Sequence, residues 1–200
     1  MKYNFVTIER EFGSGGTKIA GQLAKECGMN CYGKEILEAV SKKYDISVDQ
    51  INRYEENVTN SFLYSIFVIS RASSGDTDML ASEGHIYVAE QAIIKQLAAG
   101  GPAVFLGHCA SEALKDRKGV LKVFIRATED DKTWRTITDY GIPESSAAAT
   151  MKRYNKKRAN YYYANTARKW DDYKNYDMIL NSSSLGIDGC VAALKGLITA

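Results

Sequence analysis

The chain has 200 residues, 45% of them hydrophobic, which is enough for one compact domain with a real core and needs no second one. Lys and Arg number 26 against 24 Asp and Glu, a formal charge of +2, so net charge argues against a nucleic-acid or membrane binder. No apolar run reaches the length of a transmembrane helix, the longest candidate being Phe62 to Ile69. The N-terminus opens directly on a strand, and the four cysteines (Cys27, Cys31, Cys109, Cys190) show no C-x-x-C spacing. A reduced, cytoplasmic protein is expected, with the cysteines as small core residues rather than zinc ligands.

In chain order, Tyr3 to Ile8 alternates and is rich in β-branched and aromatic residues, which predicts a strand. Thr17 to Cys27 places Ile19, Ala20, Leu23, Ala24 and Cys27 on one helical face. Between them lies Gly13-Ser14-Gly15-Gly16, a turn whose glycines permit positive φ and let successive N–H groups approach an anion at the start of a helix. Such a run also serves as an ordinary tight strand-to-helix turn; the strand and helix flanks favour the phosphate cradle, and hence a nucleotide. Ser14, Thr17 and Lys18 add hydroxyls and a cation.

Set on the G-x-x-x-x-G-K-[ST] pattern with Gly15 as the second glycine, the first glycine is Arg10 and the lysine is Gly16, while Thr17 takes the magnesium-binding hydroxyl position. The loop lacks its standard phosphate cation, and Arg10 or Lys18 has to replace it.

Gly28 ends the first helix and Lys34 to Lys43 predicts another. Ser47 can cap a short helix through Ile51, Ser61 to Ser70 looks helical and apolar, and Arg71 to Asp78 reads as a loop, so residues 33–84 form a peripheral lobe. Helical spacing returns over Ile86 to Leu97, Gly100-Gly101-Pro102 breaks it, and Ala103 to Leu106 is a short buried strand running into Gly107-His108-Cys109. Leu121 to Ile125 is a further strand. Thr128 starts a helix to about Tyr140 with Lys132 and Arg135 on one face, and Pro143 opens a long helix to about Tyr163. A last strand, Met178 to Asn181, precedes a helix from Asp188 to Ile198. Strands alternating with helices predict a parallel sheet covered on both faces, with ligands at the carboxyl ends of the strands. The basic run Lys152 to Arg158 reads as either an anion site or a solvated face.

Taken together, the run Thr7 to Gly16, Gly107-His108-Cys109-Ala110, Val123 to Ala127 with the helix behind it, Lys157 to Tyr162, and Tyr176 to Asn181 resemble the cytidylate-kinase-like family, a branch of the nucleoside monophosphate kinases. The resemblance spans nearly the whole chain, and Glu-Phe-Gly-Ser-Gly-Gly, with the loop lysine missing, is its most specific marker. It implies an α/β P-loop kinase fold with three layers, a parallel central sheet, the peripheral substrate lobe and a helical lid at about 141–165, all in the single domain 1–200.

The activity implied is phosphoryl transfer from ATP or another nucleoside triphosphate, with Mg²⁺, to a nucleoside monophosphate such as CMP or dCMP. Two alternatives stand beside it: a nucleotide-binding regulatory protein, and a kinase for another small molecule. By the resemblance the loop from Arg10 and Gly13 to Lys18 holds the donor, and Thr17 faces Mg²⁺. His108, in place of an arginine, and Lys132, the first cation of an Arg-x-x-Arg, face the acceptor. Asn155 and Arg158 stand where an Asp-x-x-Arg is usual. Arg135, Arg153 and Arg158 are the candidates to close over the migrating charge. Nucleotides are the expected partners, with neither nucleic acid nor membrane.

Overall fold

The computed structural model describes residues 2–45, Ser47, Asp49 and 86–199. The elements are β1 (Phe5–Arg10), α1 (Gly16–Cys27), β2 (Asn30–Tyr32), α2 (Lys34–Tyr44), α3 (Ile86–Ala99), β3 (Ala103–Leu106), α4 (Ala110–Ala113), β4 (Val120–Arg126), α5 (Glu129–Tyr140), α6 (Glu144–Thr166), β5 (Met178–Asn181) and α7 (Ser182–Thr199). A 3₁₀ turn at Tyr173–Asn175 precedes β5. The five strands are all parallel in the order β2-β3-β1-β4-β5, so the connections leaving β1 (to β2) and β3 (to β4) run in opposite directions and open a crevice at the carboxyl ends of these two strands.

Alternation along β1 decides what meets what. Val6 and Ile8 face the layer formed by α1 and α7, packing with Ile19, Leu23, Val191 and Leu194. Phe5 faces the other layer, with Ile36 of α2, Ile93 and Ile94 of α3, and Tyr161 and Tyr162 of α6. By the same period of two, Arg10 falls on the α1 side and Glu9 on the α6 side.

Several boundaries differ from the sequence expectation. The first strand starts at Phe5 and runs on to Arg10, which brings the loop arginine onto the sheet. Strand β2 was not expected; it has three residues, largely exposed, and carries no apolar alternation. The last helix is as expected from about Asp188, and a short helical turn from Ser182 precedes it, separated by Gly186 in a non-helical conformation (φ 69°, ψ 173°). The short helix from Ser47, the segment Ser61 to Ser70 and the loop Arg71 to Asp78 lie outside the described residues apart from Ser47 and Asp49, and with them most of the expected lobe. No helix of the described residues is long and apolar enough to cross a membrane.

Candidate functional site

β1 delivers the chain to Arg10, and α1 starts six residues later. The turn between them needs its glycines: Gly13 has φ 76° and Gly15 φ 77°. A Cβ on Gly13 would lie 2.6 Å from the Lys132 carbonyl oxygen, and one on Gly15 2.5 Å from Ile187 Cδ1. Ile19 N–H makes the first helical rung to Gly15 O, so the N–H groups of Gly15 to Lys18 precede the ladder and aim at the N-terminal end of α1.

Two helices hold this turn from behind. Ser182 of α7 donates to Ser14 O (2.7 Å), and Arg135 of α5 donates to Gly13 O (3.3 Å) and Ser182 Oγ (3.2 Å). Lys132, one helical turn earlier on the same face, is buried between Glu11 (3.3 Å) and Glu129. Glu11 in turn accepts from Ala127 N–H (3.1 Å). Lys18 points out along α1 to Asp139 (2.8 Å), and Thr17 is exposed at the first turn.

In front, α6 crosses the ends of β1 and β3. Arg158 donates to Arg10 O (2.9 Å) and lies over the Phe12 ring, while Asn155 Oδ1 accepts from Phe12 N–H (2.7 Å). Phe12 also stacks on Tyr154 and packs against Tyr140 of α5. Beneath α6 is a cavity of about 190 Å³ at the β1 and β3 ends, whose walls include Glu9, Arg10, His108, Lys157, Arg158 and Tyr161. Arg153 stands on the exposed side of α6 over Tyr154 and does not reach it.

Among the described residues that line the cavity, Arg10, Lys157 and Arg158 outnumber the one carboxylate, Glu9. Burial, and then the neighbouring Arg10, lowers the Arg158 guanidinium to about 9, offset in part by Glu9. Glu9 is itself engaged by Trp170 Nε1 (3.1 Å). His108 sits in a left-handed stretch, Gly107, His108 and Cys109 having φ of 79°, 56° and 50°. That turn sets His108 Nδ1 3.5 Å from the fully buried Glu90 carboxylate, which also accepts from Tyr161 OH. Cys109, buried here, is held as a neutral thiol, chiefly by burial and next by Glu9. A larger recess of about 710 Å³ on the other side of α6 carries Arg126, Lys152 and Lys156 with Glu11, Glu129 and Asp171. Its balanced signs make it the weaker anion site.

Arg10, His108 and Arg158 therefore meet in one cavity, whereas Lys132 and Arg135 brace the loop from the opposite side. Sequence reasoning missed Glu90, Glu9 and Ser182. Glu90 falls within a helical pattern as one more polar residue, and nothing local signals that Tyr161, 71 residues away, bonds to it. Ser182 directly follows the last strand, a position where an N-terminal hydroxyl is a recognisable helix signal.

None of the curated proteins compared matches the chain. Among solved structures, an uncharacterized protein from Eubacterium ventriosum ATCC 27560 is similar at 25% identity with a TM-score of 0.73, covering 98% of each chain. A shikimate kinase from Bacteroides thetaiotaomicron shares the fold at 13% identity and a TM-score of 0.56, again over 98% of both chains. TT1252 from Thermus thermophilus does so at 12% identity and 0.55, over 100% of this chain and 98% of that one. The parallel sheet, the glycine turn and these neighbours are those of a P-loop kinase fold. A sequence model of the cytidylate kinase-like family matches residues 5–184, and the protein belongs to that family.

Proposed function

We propose that the protein transfers the γ-phosphoryl group of a nucleoside triphosphate to a nucleoside monophosphate, with a cytidine nucleotide as the first acceptor to examine. Family membership supports a small-molecule kinase. The observation that carries the reading further is the convergence of Arg10, Lys157, Arg158 and His108 on a small cavity beside the glycine turn.

The donor's phosphate chain lies on the N–H groups of Gly13 to Lys18 and its end reaches the cavity beneath α6, where the acceptor's phosphate meets the γ-phosphate. An acceptor phosphate oxygen attacks the γ-phosphorus, the bond to the β-phosphate oxygen breaks, and a nucleoside diphosphate leaves on each side. The acceptor brings its own nucleophile, so the chain needs to supply positioning and positive charge rather than a strong base. Arg158 and Arg10 serve that purpose, while Lys132 and Arg135 keep the turn in shape.

Among the described residues no group of three or more His, Cys, Asp or Glu side chains could hold a metal. Thr17, exposed at the start of α1, is the residue whose hydroxyl would hold Mg²⁺ brought in by the nucleotide. Such an ion would offset negative charge on the donor's phosphates. A cytoplasmic setting, where such nucleotides are plentiful, agrees with the free thiols.

The test is a coupled assay of diphosphate production over a panel of nucleoside monophosphates with a triphosphate donor and Mg²⁺. Turnover with CMP or dCMP is expected. Binding without turnover on any acceptor would favour a regulatory nucleotide-binding role, and turnover only on other small molecules would move the acceptor class.

A further inference from the structure

The phosphate loop departs from the standard pattern twice, with Arg10 where the first glycine stands and Gly16 where the lysine stands. In the fold these are one change. Arg10 faces α1, and an ideal Cβ on Gly16 would fall 2.7 Å from Arg10 Cβ and 2.8 Å from its Cγ. Arg10 Cβ is fixed to the strand and cannot swing aside, so no side chain fits at 16 while Arg10 is present. A lysine at 16 requires a bare position 10, which is the combination the standard loop has.

The flexible end of the side chain passes a second glycine, where a contact is less restrictive because the guanidinium can move. Its Nη1 reaches across to the end of β3, where an ideal Cβ on Gly107 would be only 2.5 Å away. Gly107 also has φ 79°, a conformation that itself favours glycine. The side chain ends in the cavity shared with Arg158, whose own backbone contact is the Arg10 carbonyl.

Resting on the reading of residues 13–18 as a phosphate loop, the geometry points to Arg10 as the loop's phosphate cation, moved from the position after the second glycine to the position of the first, with Gly16 kept bare for it. Arriving from β1 rather than from α1, this cation meets the ligand between the loop and His108. There it forms with Arg158 a two-guanidinium clamp for the β- and γ-phosphates of a nucleoside triphosphate. A planar fork suits that place better than a lysine ammonium, because it can hold two oxygens at once.

The experiment uses the full chain and two probes, MgATP and inorganic pyrophosphate, titrated calorimetrically beside thermal melting of each variant. Arg10→Met keeps the stem and removes the charge: affinity for both probes is expected to fall about tenfold or more with the melting temperature nearly unchanged. Gly16→Lys alone is expected to melt lower, and Arg10→Gly/Gly16→Lys to recover both the melting temperature lost by Gly16→Lys and part of the affinity lost by Arg10→Gly.

Arg10→Met binding both probes as the parent does would overturn the proposal while leaving the kinase reading intact. So would a Gly16→Lys protein that melts and binds like the parent. A parent that bound neither probe would overturn both readings, whereas the melting temperatures report on the steric coupling in every case.

Discussion

Two cations beside the loop, Lys132 buried and Arg158 half-buried, live in opposite surroundings. Lys132 lies between the carboxylates of Glu11 and Glu129, so its charge is matched inside the fold and it stiffens the loop. Arg158 is half-buried beside another guanidinium, which is why its affinity for a proton falls, to about 9. A bound phosphate reverses that, since an anion within a few ångströms favours the charged form and raises the value again. The guanidinium itself stays charged near neutral pH, so the consequence is read in affinity rather than in protons exchanged. Pyrophosphate titrations at neutral pH measure it: Arg158→Ala should weaken binding about tenfold or more, and an unchanged affinity would mean that the anion sits elsewhere.

At the scale of elements, α6 joins the site to the core: its middle carries Asn155 and Arg158 against the loop, and the next turn buries Tyr161 and Tyr162. Its C-terminus is capped by Ala167 at φ 56°, donating its N–H to Tyr163 O, a conformation that costs an L-residue with a side chain about 1 kcal/mol. Ala167 is exposed and does not line the cavity, so Ala167→Gly should stabilise the protein by about 0.5–1 kcal/mol in urea unfolding with catalysis untouched. A loss of stability would mean that the entropy of the added glycine in the unfolded chain outweighs the strain relieved. The main elements were legible because they are periodic: α1, α3 and α5 show their faces, and β1, β3 and β4 their apolar runs. Strand β2, three residues long and largely exposed, has no such signal, and Gly186 masks the short turn that precedes the main part of α7. The loop and its odd arginine were also legible, but the reason for the oddity was not. The conflict between Arg10 and any side chain at position 16 arises only once β1 and α1 are packed, and the Glu90 contacts with His108 and Tyr161 only once α3, β3 and α6 are.

Across the whole molecule, the loop near the N-terminus is held by the C-terminal half. Arg135 reaches back 122 residues, Asn155 143, Arg158 148 and Ser182 168 to touch residues 10–14. No short fragment can assemble such a site, so its ligand binds the native chain and not the unfolded one. Binding must then stabilise the fold by mass action, about 2.7 kcal/mol with MgATP at a hundredfold its dissociation constant. For a chain of this size that corresponds to a rise in melting temperature of roughly 5–10 °C. The location of the gain is as informative as its size. Hydrogen exchange should slow at residues 13–18 and, with them, in the parts of α5, α6 and the start of α7 that contact the loop, while α2 and the far end of α3 change little. Protection confined to α1 would mean that those helices only cover the site, and a melting temperature unmoved by saturating nucleotide would remove the loop from the binding site altogether.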